Sequence, residues 1–326
     1  MLHKLLGYLI KHQVIFALVI IAFAWLLIQT REIILSIFLS YIIMSGILPA
    51  VGYLQKKKFP KILAVLIPYL SIILLIVLII LPLIPFAISQ VDSLATGFPQ
   101  ILKRSAHSLG FSLDPKQLEG YFNGQLTSLG QNAIFVTTKV FGGIFSVITV
   151  VIVSFYLLMY HDTFKLFLSR LFKSEARPHV LATLNKVDEK LGAWLRGQVF
   201  LCFFIGTLTW IILTLVGLPF ALPLAILAGF LEVVPTLGPI ISAIPAVLVA
   251  LTVSPTLALF VTGAYVLIQA IENHFLVPNV MQKAVGLNPV VVILSIMIGA
   301  NLMGIAGALL AIPFISFLIV IFQSIE

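Results

Sequence analysis

The sequence predicts an all-α fold: a polytopic transmembrane helical bundle of about eight spans, one broken by proline and glycine, with short amphipathic helices on its surface. Three observations predict it. Of 326 residues, 61% are apolar and only 9% charged, against roughly 45–50% and about 25% in soluble domains. Mean hydropathy is +1.20, and apolar stretches of about 20 residues, enough to cross a hydrocarbon core, recur along the chain. The few charges fall between those stretches. So little charge cannot coat a globule in water, which excludes a soluble enzyme, a disordered chain, a fibrous protein and a disulfide scaffold. The one cysteine, Cys202, can form no internal disulfide and reads as a small buried hydrophobe.

Residues 1–90 hold spans one to three. The first, about 10–29, follows Lys4 and Lys11 and ends in Gln29-Thr30-Arg31-Glu32. No small-residue cleavage site follows it, so it reads as an uncleaved span and not a signal peptide. The second, about 33–53, leads into the basic turn Lys56-Lys57-Lys58-Phe59-Pro60-Lys61, and the third covers about 62–88. Residues 91–140 are expected to form an external amphipathic region, with Asp114-Pro115 as a helix start. The fourth span is 141–160. Residues 161–198 read as basic amphipathic helices on the cytoplasmic side. Phe164, Phe167, Leu168 and Leu171 form one apolar stripe there, and Val180, Leu184, Val187, Leu191 and Trp194 another.

From 199 to 326 the chain is an almost continuous transmembrane core. Span five is about 199–216. Residues 222–253 are too long for one straight span and are interrupted at Pro235, Gly238, Pro239 and Pro245, either as one kinked span or as a re-entrant pair of half-helices. Spans seven and eight are about 256–277 and 290–322. Lys and Arg divide thirteen to six between the two sides if the N-terminus is inside. This places 161–198 in the cytoplasm, 91–140 outside and both termini inside.

Two acids in the C-terminal half fall in apolar sequence, where a carboxylate is costly and marks a candidate site. Glu232 precedes Pro235, Gly238 and Pro239; prolines lack N–H donors, so carbonyls beside Glu232 are expected to be free. Glu272 stands with Gln269 and Asn273 at i, i+3 and i+4, one helix face that could hold a cation, a proton or the hydroxyls of a polar solute. Glu232 and Glu272 are expected to line one cavity, with Glu272 contacting solute and Glu232 coupling an ion. A polar cluster that merely glues helices together is the alternative. Ala300, Gly304 and Ala308, with Gly307 and Ala311 beside them, read as a close-packing strip, and Pro313 as a kink. No metal-ligand spacing, P-loop, zinc-protease or serine-hydrolase motif is present, so no enzyme activity, cofactor or metal is expected.

These C-terminal segments carry a family resemblance. Glu232-Val-Val-Pro235-Thr-Leu-Gly238-Pro239, then Gln269-x-x-Glu272-Asn273-x-x-Leu276-x-Pro278, then Gly304-x-x-Gly307-Ala308-x-x-Ala311-x-Pro313, with Leu195-Arg196-Gly197-Gln198 before them, resemble the AI-2 exporter (AI-2E) family of bacterial permeases. The resemblance implies a multi-pass inner-membrane transporter. It implies export of a small polar solute such as autoinducer-2, or Na⁺(Li⁺)/H⁺ antiport, without choosing between them. A passive channel and a non-transporting scaffold or sensor are the readings of other classes. Expected partners are the lipid bilayer, a small polar solute, and H⁺ or Na⁺, with association into a homo-oligomer left open; no nucleic acid is expected.

Overall fold

The computed structural model describes residues 13–79, 81, 85, 133–234, 237–277, 279, 280, 286 and 288–324. Among these every regular element is helical. In chain order they are α1 (Gln13–Gln29), α2 (Arg31–Lys56), α3 (Lys61–Ile79), α4 (Ala133–Met159), α5 (His161–Arg170), α6 (Arg177–Leu215), α7 (Ala221–Leu231), α8 (Leu237–Val253), α9 (Pro255–Ile271) and α10 (Pro289–Gln323). A 3-10 turn at Ser174–Ala176 precedes α6, and a π turn at Glu272–Leu276 prolongs α9. Most of the expected external region, residues 91–132, lies outside the described residues, and its last residues belong to α4, which begins at Ala133 rather than 141.

The long α6 is the axis of the molecule. Its buried positions Val187, Leu191, Trp194, Gln198, Leu201, Ile205, Thr209 and Leu213 advance by three or four residues, which lays a single stripe along the helix. No proline interrupts that stripe, so the helix runs unbroken for 39 residues, and the expected division at 198 is not a break in the backbone. Against the stripe pack α2, α5, α7, α9 and α10. One apolar cluster joins Leu213 to Leu224, Val249 and Val261. Another joins Val187, Leu191 and Trp194 to Ile42, Leu310 and Val320. A third holds α2, α3 and α4 together through Met44, Val65 and Leu158. The opposite surfaces stay apolar: Phe203, Leu215, Leu259 and Ile305 are 74–81% exposed, which suits hydrocarbon and not water.

The chain doubles back twice. After α6, the turn at Val216–Phe220 returns it along the same helix, so that Leu224 meets Leu213 and Gly229 faces Gly206. Helix α7 has only 11 residues, about 17 Å at 1.5 Å per residue, too short to cross a bilayer. The chain turns at 232–236, and α8 runs back beside α7 until Ala246 and Val249 lie against Leu224. Residues 221–253 are therefore a helical hairpin.

The second reversal lies within α10, where a straight helix was expected. Met303 and Gly304 leave helical geometry, and Gly304 has φ +61° and ψ −142°, a conformation essentially reserved for glycine. A Cβ built on Gly299 would strike the carbonyl of Gly307, and one on Gly307 the carbonyl of Gly299. In a straight helix these residues would be about 12 Å apart, so the two halves must lie side by side. Gly304 thus forms a turn rather than a helix-packing contact, Gly307 packs within its own hairpin, and Ala308 is buried. Pro313 lies within the second half, away from the break.

The two hairpins enter from opposite ends of α6. The second half of α10 runs antiparallel to α6, anchored where His179 Nε2 meets the Ser324 carbonyl at 2.5 Å. Gly304 is about 30 Å from that anchor along α10 and Gln198 about 28 Å along α6. Both tips therefore come to the level of Gln198.

The expected eight spans are not reproduced. Among the described residues five helices are long and apolar enough to cross a membrane, or six if α4 and α5, bent by 76°, count as one span; α10 passes by its full length, although it reverses at Gly304. The shortfall has two sources: α1, only partly described, and the 221–253 segment, whose halves are each short because the turn divides them.

Candidate functional site

The first hairpin tip brings together residues that are far apart in sequence. Glu232 caps the C-terminal end of α7, its N–H bonded to the Ala228 carbonyl at 3.0 Å. Its side chain is fully buried. Gln198, from the middle of α6, donates its Nε2 to the Glu232 carbonyl at 2.7 Å. Gly238 is needed for the tightness of the turn: a Cβ there would come within 2.7 Å of the Glu232 nitrogen. Pro239, its neighbour, is buried and its carbonyl accepts from Ser242 Oγ at 3.1 Å. Pro235 lies outside the described residues.

The expectation of free carbonyls beside Glu232 is corrected. Val233 N–H bonds to the Phe230 carbonyl and Val234 N–H to the Leu231 carbonyl at 3.1 Å, while Gln198 serves Glu232. Among the described residues the carbonyls of Phe230, Leu231, Glu232 and Val234 are thus each served, as buried polar groups require.

The carboxyl group is not satisfied in this way. Among the described residues no donor reaches either oxygen of Glu232; beside them stands the carboxyl of Glu272. Glu272 is also fully buried and begins the π turn that follows α9. Its Oε2 faces Gln269 Nε2 at 3.4 Å, at the long limit of a hydrogen bond. The structure thus sets Glu232 and Glu272 against each other, with Gln269 and Gln198 beside them. Both acids are closed off, so they face one another and not an open cavity.

Asn273 does not join them. The wider winding of the π turn rotates it outward, and Asn273 is exposed, as π bulges commonly re-aim a helix face. The i, i+3, i+4 face read from the sequence assumed 3.6 residues per turn through Glu272, and the winding changes there. Gln198 is the residue sequence reasoning missed. Its signal was present, since it lies on the apolar stripe of α6 where a polar side chain needs a partner.

A second polar cluster, also missed, sits where α5 meets α6. Asp188 accepts from Tyr41 Oη and faces His161 Nε2 at 2.8 Å and the ammonium of Lys165. His161, Lys165 and Asp188 are each less than 9% exposed, and they border a cavity of about 400 Å³.

No group of His, Cys, Asp or Glu among the described residues is arranged to hold a metal ion. Two abutting buried carboxyls have a different chemistry. Both cannot be ionised in an apolar setting without a counter-charge.

Comparison with known proteins agrees with the architecture. YrrI of Bacillus subtilis (strain 168), named for transport, is 29% identical over 307 residues, covering 89% of this chain and 85% of its own. YueF of the same organism, also named for transport, is 28% identical over 327 residues, covering 92% and 88%. The AI-2 transport protein TqsA of Escherichia coli (strain K12) is 29% identical over 140 residues, covering 42% of this chain and 41% of its own. The family model of AI-2E family transporters matches residues 14–326. With that match over nearly all of its length, the chain belongs to the AI-2E family of multi-pass membrane transporters.

Proposed function

We propose that the protein is a secondary, ion-gradient-coupled transporter that exports a small polar solute such as autoinducer-2. The observation that carries this reading is the Glu232–Glu272 pair, buried at the tip of a helical hairpin. Broken helices and a protonatable group at membrane depth are the parts from which secondary transporters build coupled sites. Glu232, held by Gln198, couples the ion; Glu272, with Gln269, takes the solute or shares the ion. TqsA, named for autoinducer-2 transport, supports the solute class.

Na⁺(Li⁺)/H⁺ antiport is the second reading, and one observation favours it. Two carboxyls with no donor at Glu232 offer acceptors only, which suits a cation or a proton better than a polyol. The inner membrane of a bacterium is the proposed location, with both termini in the cytoplasm. The contact between His179 and Ser324 supports this, because it ties the C-terminus to the basic face.

Flux into proteoliposomes, with and without an imposed pH or Na⁺ gradient, tests the proposal. Accumulation of autoinducer-2 against its own gradient is expected only when the ion gradient is present. Simple equilibration would mean a channel, and absence of flux of both autoinducer-2 and Na⁺ a scaffold; either overturns the proposal.

A further inference from the structure

The cluster at the α4–α5 bend is independent of the Glu232–Glu272 pair and has its own access to solvent. The helix turns through 76° at Tyr160, and the first residue after the bend, His161, is 8% exposed. Both of its ring nitrogens face carboxylates: Nε2 is 2.8 Å from Asp188, and Nδ1 is 3.4 Å from Asp162. A neutral imidazole has one N–H and one lone pair, so it can donate to only one of them. The lone pair would then point at the other carboxylate. An imidazolium carries an N–H toward each: the one at Nε2 meets the Asp188 oxygen that the Lys165 ammonium also contacts, and the one at Nδ1 faces Asp162 at ion-pair distance.

The groups around the ring can be named in full from the elements that pack there. From α5 come Asp162, 83% exposed at its side chain, and Lys165. From α6 come Asp188 and, at the cavity rim, Glu189 and Arg196. From α2 comes Tyr41, whose hydroxyl donates to Asp188. Lys165 divides its ammonium between Asp188 and the side-chain oxygen of Asn185, the latter at 2.7 Å. A cavity of about 400 Å³ borders His161, Asp162, Lys165 and Asp188.

We propose that His161, with Asp188 and Asp162, is a second proton-binding site on the basic face of the molecule. A proton bound there adds charge to the hydrogen bond between His161 and Asp188 that ties the bend to α6, while Asp162, the next residue on α5, faces the other edge of the ring. Without it, α5 is held to Asp188 by Lys165 and at most one neutral bond.

The test does not depend on transport, so its failure is distinguishable from failure of the coupled-export reading. The full chain, labelled with ¹⁵N-histidine, is placed in lipid nanodiscs and followed by NMR from pH 5 to 9. The His161 signals are those lost in His161→Gln. At pH 5 both ring nitrogens are expected to be protonated, and at pH 9 only one. Asp162→Asn, a change at an exposed side chain, is expected to lower the proton affinity about two- to fivefold, as for a solvent-screened partner. Asp188→Asn is expected to lower it further. A His161 ring that stays neutral at pH 5, or a transition unmoved by Asp162→Asn and Asp188→Asn alike, would overturn the proposal. If Asp188→Asn does not fold, the Asp162→Asn result decides.

Discussion

Replacing Glu232 by Gln is expected to make the protein more stable while removing its gradient coupling. The side chain is fully buried, no donor reaches it, and a second carboxyl stands opposite. At an effective dielectric constant of about 20, two carboxylates about 4 Å apart repel by about 4 kcal/mol. On the proposed reading the parent escapes this by holding a proton or cation, at some cost to the folded state. Gln has nearly the same shape and brings an amide that can donate to Glu272. A hydrogen bond to a charged acceptor contributes about 1.5–3 kcal/mol. Part of that replaces what the bound proton already supplied, so a net gain of about 1–2 kcal/mol is expected. Unfolding of the purified variant in nanodiscs, followed by denaturant midpoint, measures the gain, and proteoliposome flux under an imposed pH gradient measures the coupling. A loss of stability comparable to that of a cavity-forming substitution would refute the argument. So would gradient-driven transport at the parent rate with the parent pH dependence, in both this variant and Glu272→Gln. In either case the pair would be structural.

Other positions give sharper local tests. Gly304→Ala is expected to cost about 1–3 kcal/mol from backbone strain alone, because nothing lies within 4 Å of the added methyl; a neutral result in the same unfolding assay would mean that the turn is not populated. Asn273→Ala is expected to leave flux within about twofold of the parent, as for an exposed residue away from the pair. Gln198→Leu removes the donor to the buried Glu232 carbonyl and is expected to cost about 1–3 kcal/mol, with a larger loss of flux than Asn273→Ala.

The helical class could be read from composition because bilayer solvent leaves a coarse signature: long apolar runs with charges between them. The convergence of Glu232 with Glu272 was approachable for a related reason, since two acids in apolar sequence each need a partner. What remained hidden was reversal of direction. Hydropathy is a scalar along the chain and reads the same for a span and for a hairpin of equal length. The 290–322 stretch therefore looked like one helix, although Gly299, Gly304 and Gly307 were all visible. Their spacing fits a packing strip on a straight helix as well as a turn with close-packed arms, and only φ +61° at Gly304 separates the two. Asn273 was misplaced because a π turn cannot be seen from residue spacing. Asp188 and His161 were missed because each sits in sequence rich in other charges, where a buried ion does not stand out.

The paired hairpins also bear on how the chain is made. A half-helix of 11 residues cannot leave the insertion machinery as a stable crossing by itself. Its turn exposes peptide groups that hydrocarbon rejects unless protein shelters them. The α7–α8 hairpin has its shelter ready, because α6 is synthesised immediately before it. The α10 hairpin emerges after α9 and seats against α2 and α6, whose docking surface of Ile42, Val187, Leu191 and Trp194 is by then complete. Its docking is accordingly a separate step that follows synthesis of its own two halves, and a chain truncated after α9 leaves that apolar seat open to lipid and to quality-control proteases.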